Sequence, residues 1–272
     1  MAKRVAIIQF PGSNCEYETE RAVRYYGLDT AILRWNCDET HFRGFDAYVL
    51  PGGFSYQDRV RAGVMASKLP IMSWLIDESQ QGKPVLGICN GCQILAELGL
   101  VMDIDQTQSL SVSLSSNRAE GREVGFICDW VYVSISQPES NLFTRYFTVS
   151  DIIPIPVNHG EGSFFVDPDY VPQLDTVTTL RYCTSSGELL DTFPVNPNGS
   201  QYNLAGLSNN NGNVLALMPH PERAGFLKQI PSYVQGDWMT KRDTQLRDRQ
   251  PHEGLEEGPW SKLFIGLKEF LN

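Results

Sequence analysis

Between residues 84 and 98 the chain reads Pro84-Val-Leu-Gly-Ile-Cys89-Asn-Gly-Cys-Gln93 and continues through an apolar segment to Leu98. A short apolar run that meets a nucleophile and passes into a helical pattern predicts a buried strand (84–88) turning sharply into a helix (90–98). Glycines stand two places before and two places after Cys89. A Cβ at either position would collide with the neighbouring strand or helix, so this Gly-x-nucleophile-x-Gly pattern marks an elbow that presents one side chain on a strained turn. Sulfur at a helix N-terminus also gains from the partial positive charge of unpaired N–H groups, which favours the thiolate. Such an elbow belongs to α/β architectures.

The flanking sequence fits that class. Residues 5–9, 30–35 and 47–50 are further short apolar runs, and helical spacing appears over 15–26 and over 59–76, broken around Pro70. Strands that are apolar throughout and alternate with helices predict a central, mostly parallel sheet flanked by helices. After Gly99 the rhythm changes. Residues 123–135, 163–166 and 178–183 read as strands joined by loops, an added antiparallel β section, and 213–218 returns to the buried-strand pattern. Trp260, Leu263, Phe264, Leu267, Phe270 and Leu271 form an i, i+3, i+4, i+7 stripe, which predicts an amphipathic closing helix over 259–272. Residues 225–258 are polar and irregular and are expected to form a surface excursion of a single domain spanning 1–272.

Charge and cysteine usage exclude several function classes. Against 22 Lys and Arg stand 32 Asp and Glu, a net charge of −10, which repels phosphate backbones and disfavours nucleic-acid binding. No apolar stretch approaches the roughly 20 residues needed to span a bilayer, and no export signal is visible. Together with six cysteines in a chain too long to need disulfide staples, this predicts a cytoplasmic protein with reduced thiols. Cys89-Asn-Gly-Cys92 is also a C-x-x-C, the pattern of a redox pair or half a zinc site. No second Cys or His pair at matching spacing completes a zinc site, so no metal is expected, and Cys92 reads as a small residue packed behind the elbow.

A nucleophilic thiol needs a base, and the base needs an orienting group. Both appear in Met218-Pro-His220-Pro-Glu222-Arg223. Pro221 biases His220 toward extended backbone, and in an extended segment residues i and i+2 share a face, so Glu222 can hold one imidazole nitrogen while the other faces Cys89. An oxyanion site is expected from Pro51-Gly52-Gly53-Phe54, which follows a predicted parallel strand, and from the backbone N–H of Asn90. The loop Phe10-Pro-Gly-Ser-Asn-Cys15 is assigned no chemistry.

Gly87-Ile-Cys-Asn-Gly-Cys-Gln93 with His220-Pro-Glu222 resembles the class I (triad) glutamine amidotransferases. Phe10-Pro-Gly-Ser-Asn-Cys15, Pro51-Gly-Gly-Phe-Ser-Tyr56, Arg61-Ala-Gly63, His159-Gly-Glu-Gly162, Asn196-Pro-Asn-Gly-Ser200 and Met218-Pro-His-Pro-Glu-Arg-Ala224 are similar to the glutaminase components of phosphoribosylformylglycinamidine synthase. The resemblance implies a flavodoxin-like fold and an enzyme of purine synthesis that strips ammonia from glutamine. It implies Cys89 as nucleophile, His220 as base and acid, Glu222 as orienter, Gly52, Gly53 and Asn90 at the oxyanion site, Gln93 as a glutamine contact, and His159 and Glu161 near the active-site mouth, where a plain turn is the alternative. It implies no cofactor in this chain, with ATP and Mg on a synthetase subunit and a small accessory subunit as a further partner. Cys92 and Ser163 depart from the family pattern, which often has an aromatic residue and commonly an Arg there. A stand-alone thiol hydrolase of γ-glutamyl or peptide bonds and a non-catalytic glutamine-binding module remain as alternatives.

Overall fold

The computed structural model describes residues 3–103, 110–248 and 256–272. Strands β1 (Arg4–Gln9), β2 (Asp29–Arg34), β3 (Ala47–Leu50) and β4 (Val85–Ile88) alternate with helices α1 (Glu16–Tyr25), α2 (Glu39–Arg43), α3 (Val64–Ser67) and α4 (Pro70–Gln80). The break expected near Pro70 is the gap between α3 and α4, with proline in the first turn of α4, where its missing N–H costs nothing. Helix α5 (Asn90–Glu97) follows β4 directly. The second half contributes β5 (Val112–Ser115), β6 (Arg118–Ala119), β7 (Arg122–Glu123), β8 (Ile127–Ile135), β9 (Ile152–His159), β10 (Ser163–Val166), α6 (Leu174–Val177), β11 (Thr178–Cys183), β12 (Leu204–Ser208), β13 (Val214–Leu217), α7 (Asp237–Asp248) and α8 (Ser261–Leu271).

Nine strands form one sheet in the order β2-β1-β3-β4-β13-β12-β11-β8-β9. The five from β2 to β13 are parallel, and their order is the flavodoxin-like 2-1-3-4-5. The antiparallel section is not a separate layer: β12, β11, β8 and β9 continue the same sheet beyond β13. Two small sheets, β5 with β10 and β6 with β7, lie apart from it.

Three features depart from the sequence reading. Strand β9, Ile-Ile-Pro-Ile-Pro-Val-Asn-His, carries Pro154 and Pro156, which argue against a strand interior. It is tolerated at the sheet edge, where both prolines oppose β8 residues of one parity, Tyr132 and Trp130, and their carbonyls serve the outer flank. Pro156 O accepts from His220 N at 2.9 Å, and Pro154 O accepts from Trp260 Nε1 at 3.1 Å. Residues 225–258 are not simply irregular either. They include α7, and Leu227, Ile230 and Val234 are buried in a second small cluster with Trp130, Tyr132 and Trp238; residues 249–255 of that expectation lie outside the described residues. Finally, the closing helix is Ser261–Leu271, and Phe270 of its predicted stripe is exposed while Leu263, Phe264 and Leu267 are fully buried. No helix among the described residues is long and apolar enough to cross a membrane.

Candidate active site

Cys89 stands between β4 and α5 with φ 51° and ψ −105°, a conformation that costs a non-glycine residue about 1–3 kcal/mol. The surroundings impose it. A Cβ on Gly91 would lie 2.0 Å from Leu50 O, and one on Gly87 would lie 2.5 Å from Leu95 Cδ1 and 2.7 Å from Gly91 O. The two glycines therefore let α5 sit directly on β3 and β4, as the elbow pattern requires. The strand end is fixed by Cys89 N donating to Leu217 O at 2.8 Å, and the thiol lies 3.6 Å from Asn158 O of β9. Cys92 is wholly buried, and burial raises its thiol well above the usual value, which fits packing rather than redox exchange. All six cysteines are free.

His220 and Glu222 form the orienting pair, with Nδ1 2.6 Å from Glu222 Oε1. His220 is extended (φ −108°, ψ 89°), as Pro221 demands, but Glu222 lies in a single turn of 3-10 helix, 221–223, rather than in a continued extended segment. The turn brings the carboxylate back onto the ring. Both side chains are buried, and His220 Nε2 and Glu222 Oε2 have no hydrogen-bond partner among the described residues. Burial alone depresses the imidazole's pKa. The Glu222 carboxylate and the Cys89 thiol outweigh burial and raise it well above its ordinary value.

Gly52 closes the distance between these parts. A Cβ there would lie 2.7 Å from His220 Cε1 and 3.4 Å from Cys89 Cβ, so thiol and imidazole converge on one point although the sequence separates them widely. Gly53 has φ 148°, and a Cβ on it would meet the backbone of Gly12, Ser13 and Asn14 at 2.7–2.8 Å. The bridge between Ser13 and Gly53 is made by Asn14 N to Gly52 O and Phe54 N to Gly12 O, which leaves the Gly53 N–H out of it. Asn90 opens α5, so its N–H has no intrahelical acceptor. These are two of the donors that the sequence assigned to an oxyanion site; the third residue assigned there, Gly52, instead lies against the His220 ring.

The remaining expected residues are brought nearby with different tasks. Gln93 Nε2 donates to Glu161 O at 2.6 Å, and Asn90 Nδ2 donates to Gln93 Oε1 at 2.9 Å, so the amide of Gln93 ties α5 to the 160–162 loop. Glu161 Oε2 accepts from Ala62 N at 3.1 Å, and Arg61 binds Glu97 at 2.6 Å. His159 does not line the mouth. It is buried, its ring would be struck by a Cβ on Gly162 at 2.2 Å, and Nδ1 lies 3.1 Å from Asn117 Oδ1. Burial and the nearby His220 push its pKa down to about 3, so it is a neutral packing residue beneath the loop. Ser163, the other departure, donates to Gly199 O.

A family model described as a CobB/CobQ-like glutamine amidotransferase domain matches residues 2–271. The chain belongs to that amidotransferase family. It is 47% identical over 236 residues to the phosphoribosylformylglycinamidine synthase subunit PurQ of Methanothrix thermoacetophila, covering 84% of this chain and 89% of that protein. It is 40% identical over 220 residues to the subunit of the same name from Synechocystis, covering 80% and 91%. Among solved structures it is similar to a chain of the structure of PurLQS from Thermotoga maritima, with 28% identity, a TM-score of 0.72 and full coverage of both chains.

In this amidotransferase two residues near the triad escaped the sequence reading. Cys15, which the loop 10–15 delivers from the end of β1, has its sulfur 3.0 Å from the Gly52 Cβ position. It accepts from Arg223 Nη2 at 3.2 Å, and Arg223 is paired with Glu18 at 2.7 Å. Burial raises the Cys15 thiol to about 11, against a lowering contact with His220. Asp58 sits in a run of left-handed residues, Tyr56, Gln57 and Asp58, followed by Val60. Burial, with Glu161 beside it, lifts its carboxyl to about 6. One signal for Cys15 was available: β1 and β3 are adjacent parallel strands, so the loops at their carboxyl ends must meet.

Proposed function

We propose that this chain is the glutaminase subunit of a phosphoribosylformylglycinamidine synthase, acting as a single amidotransferase domain over 1–272. It cleaves glutamine to glutamate and ammonia and passes the ammonia to a synthetase subunit that converts formylglycinamide ribonucleotide to formylglycinamidine ribonucleotide. The observation that carries this reading is the alignment of thiol, imidazole and carboxylate, with Cys89 on the elbow and His220 Nδ1 held 2.6 Å from Glu222 Oε1.

The geometry supports the following sequence. His220, its pKa raised by the Glu222 carboxylate and the Cys89 thiol against burial, takes the thiol proton, and Cys89 attacks the carboxamide carbon of glutamine. The tetrahedral oxyanion lies against the Gly53 and Asn90 amides. The imidazolium protonates the departing nitrogen, ammonia leaves, and a γ-glutamyl thioester remains on Cys89. Water, losing its proton to the same imidazole, then releases glutamate and restores the thiol. Glu222 keeps Nδ1 protonated, so Nε2 faces the thiol throughout.

In this reading ATP, Mg and the ribonucleotide belong to the synthetase subunit, and a small accessory subunit is a further partner. The similarity to a chain of Thermotoga maritima PurLQS supports a multisubunit assembly, and the free thiols support a cytoplasmic setting. The test is glutamate release by the isolated chain and by the chain with its synthetase. Turnover is expected to rise on adding the synthetase and to vanish in Cys89→Ser. A Cys89→Ser protein that releases glutamate at the parent rate overturns the nucleophile, and synthetase-independent turnover overturns the coupling.

A further inference from the structure

The elbow requires glycine at 87 and 91, but it places no demand on the side chain at 90, where any residue except proline presents the same backbone N–H. The asparagine found there has a task of its own. Its side chain is buried. Oδ1 accepts from Ser55 N at 3.1 Å, while Nδ2 donates to Gln93 Oε1 at 2.9 Å and to Asp58 Oδ1 at 3.4 Å. Only this orientation of the amide is consistent: turned over, it would set its NH2 against the Ser55 N–H and its oxygen against the Asp58 carboxylate. One acceptor and two donors in a plane are what asparagine offers and what aspartate, leucine or alanine lack.

These bonds hold an unusually strained stretch of backbone. Tyr56, Gln57, Asp58 and Val60 all have positive φ, 54°, 62°, 52° and 73°, a conformation that a side chain disfavours and that persists only where the surroundings enforce it. Gly53, whose N–H is left out of the bridge to Ser13, lies two residues before Ser55. The loop is tied on one side to the 10–15 loop, by Phe54 N to Gly12 O at 2.9 Å and Tyr56 N to Pro11 O at 2.7 Å. On the other side, every hydrogen bond from residues 53–60 to α5 among the described residues passes through the Asn90 amide. The next tie to that helix is Arg61 to Glu97 at 2.6 Å, beyond the strained stretch.

We propose that the side-chain amide of Asn90, anchored on Asp58, is a positioning group that fixes the distance between the two oxyanion donors, the Gly53 N–H on the loop and the Asn90 N–H on α5. It acts through those backbone donors rather than on the substrate, by keeping the strained loop from drawing back from the helix. The proposal rests on the glutaminase reading, in which an oxyanion forms.

The test uses the full chain with its synthetase and compares two reactions of Cys89. Glutamine cleavage builds an oxyanion; alkylation by iodoacetamide, in which the sulfur displaces iodide at a saturated carbon, builds none. Asn90→Ala is expected to lower kcat about 100-fold with KM changed by less than about threefold. Its alkylation rate at fixed pH is expected to stay within about threefold of wild type, because the thiolate is untouched. Asp58→Ala is expected to lose about tenfold in kcat, again with alkylation unmoved, and Asp58→Asn, which keeps an oxygen acceptor for Nδ2, to recover most of that loss. The Asp58 pair carries the test by itself should Asn90→Ala not fold. A folded variant whose kcat and alkylation rate fall together, or an alanine variant whose kcat matches wild type, overturns the positioning role. A wild-type chain that releases no glutamate, alone or with its synthetase, overturns the glutaminase reading instead.

Discussion

Replacing Gly52 by alanine tests the convergence at the heart of the site. Gly52 does not need left-handed backbone, so the variant adds a methyl group without conformational strain. That methyl lies 2.7 Å from His220 Cε1, 3.0 Å from Cys15 Sγ and 3.4 Å from Cys89 Cβ. The Cys89 contact is ordinary; the imidazole must retreat by roughly 0.7 Å to reach normal separation. Movement is resisted, because Glu222 holds Nδ1 at 2.6 Å and Pro156 O holds the His220 N–H at 2.9 Å. A misplacement of this size is worth roughly 100-fold in kcat, or about 2.7 kcal/mol of barrier, and the overpacking costs about 1–3 kcal/mol of stability.

Steady-state glutaminase assays and urea unfolding measure the two losses separately. Gly53→Ala is the control, because its Cβ meets only backbone, at 2.7–2.8 Å, with φ 148°. That variant is expected to fail mainly in folding, whereas Gly52→Ala folds and fails in catalysis. A folded Gly52→Ala protein with kcat within about threefold of wild type would falsify the placement of His220 against Gly52.

Further outcomes follow from the same geometry. Glu222→Gln keeps a hydrogen-bonding group but removes the charge that raises the imidazole; kcat is expected to fall by about 10²- to 10⁴-fold, with the pH–rate profile displaced to lower pH, and an unmoved profile refutes that role. Buried His159, with a pKa of about 3 against 6.5 unfolded, stays neutral while the unfolded chain takes up a proton. Its contribution is therefore intact above about pH 6.5 and is lost as pH falls toward 3, amounting to about 2 kcal/mol at pH 5. His220, with its raised pKa, acts in the opposite sense, so the comparison must be against His159→Gln: urea unfolding should show wild type losing about 2 kcal/mol more than the variant between pH 7 and pH 5. Equal losses sink the assignment.

What the sequence disclosed about this site was whatever backbone chemistry enforces locally. The elbow is legible because Gly87 and Gly91 have no alternative: a Cβ on Gly91 strikes Leu50 O at 2.0 Å. The His220–Glu222 pair is legible because Pro221 restricts the residue before it, although the carboxylate arrives through a 3-10 turn rather than along an extended face. The parallel half of the sheet is legible from its uniformly apolar strands. Helix α7 was hidden for the complementary reason: Asp-Trp-Met-Thr-Lys-Arg-Asp-Thr-Gln-Leu-Arg-Asp has no apolar stripe, and Trp238 is packed against the Leu227, Ile230 and Val234 cluster.

The parts that stayed hidden near the triad share a different cause, since each is decided by a partner far away in the chain. Strand β9 carries two prolines that count against it locally, yet on the sheet edge their carbonyls hold the backbone of His220 and the indole of Trp260. The feature that obscures the strand is thus the one that positions the base. Cys15 is equally silent in its own loop. It acquires meaning only when β1 and β3 pair in parallel and set its sulfur beside Gly52, and when Arg223, two hundred residues later, donates to it. A glycine or proline announces itself through its own backbone, whereas a thiol, amide or carboxylate takes its role from whatever the topology delivers to it. Gln93 shows the limit of motif transfer for the same reason: its place on α5 is fixed by the elbow, but both ends of its amide are occupied by Asn90 and Glu161. Each of those contacts uses one N–H or one lone pair of the amide, so a further partner can meet that side chain only through its second N–H or its second lone pair.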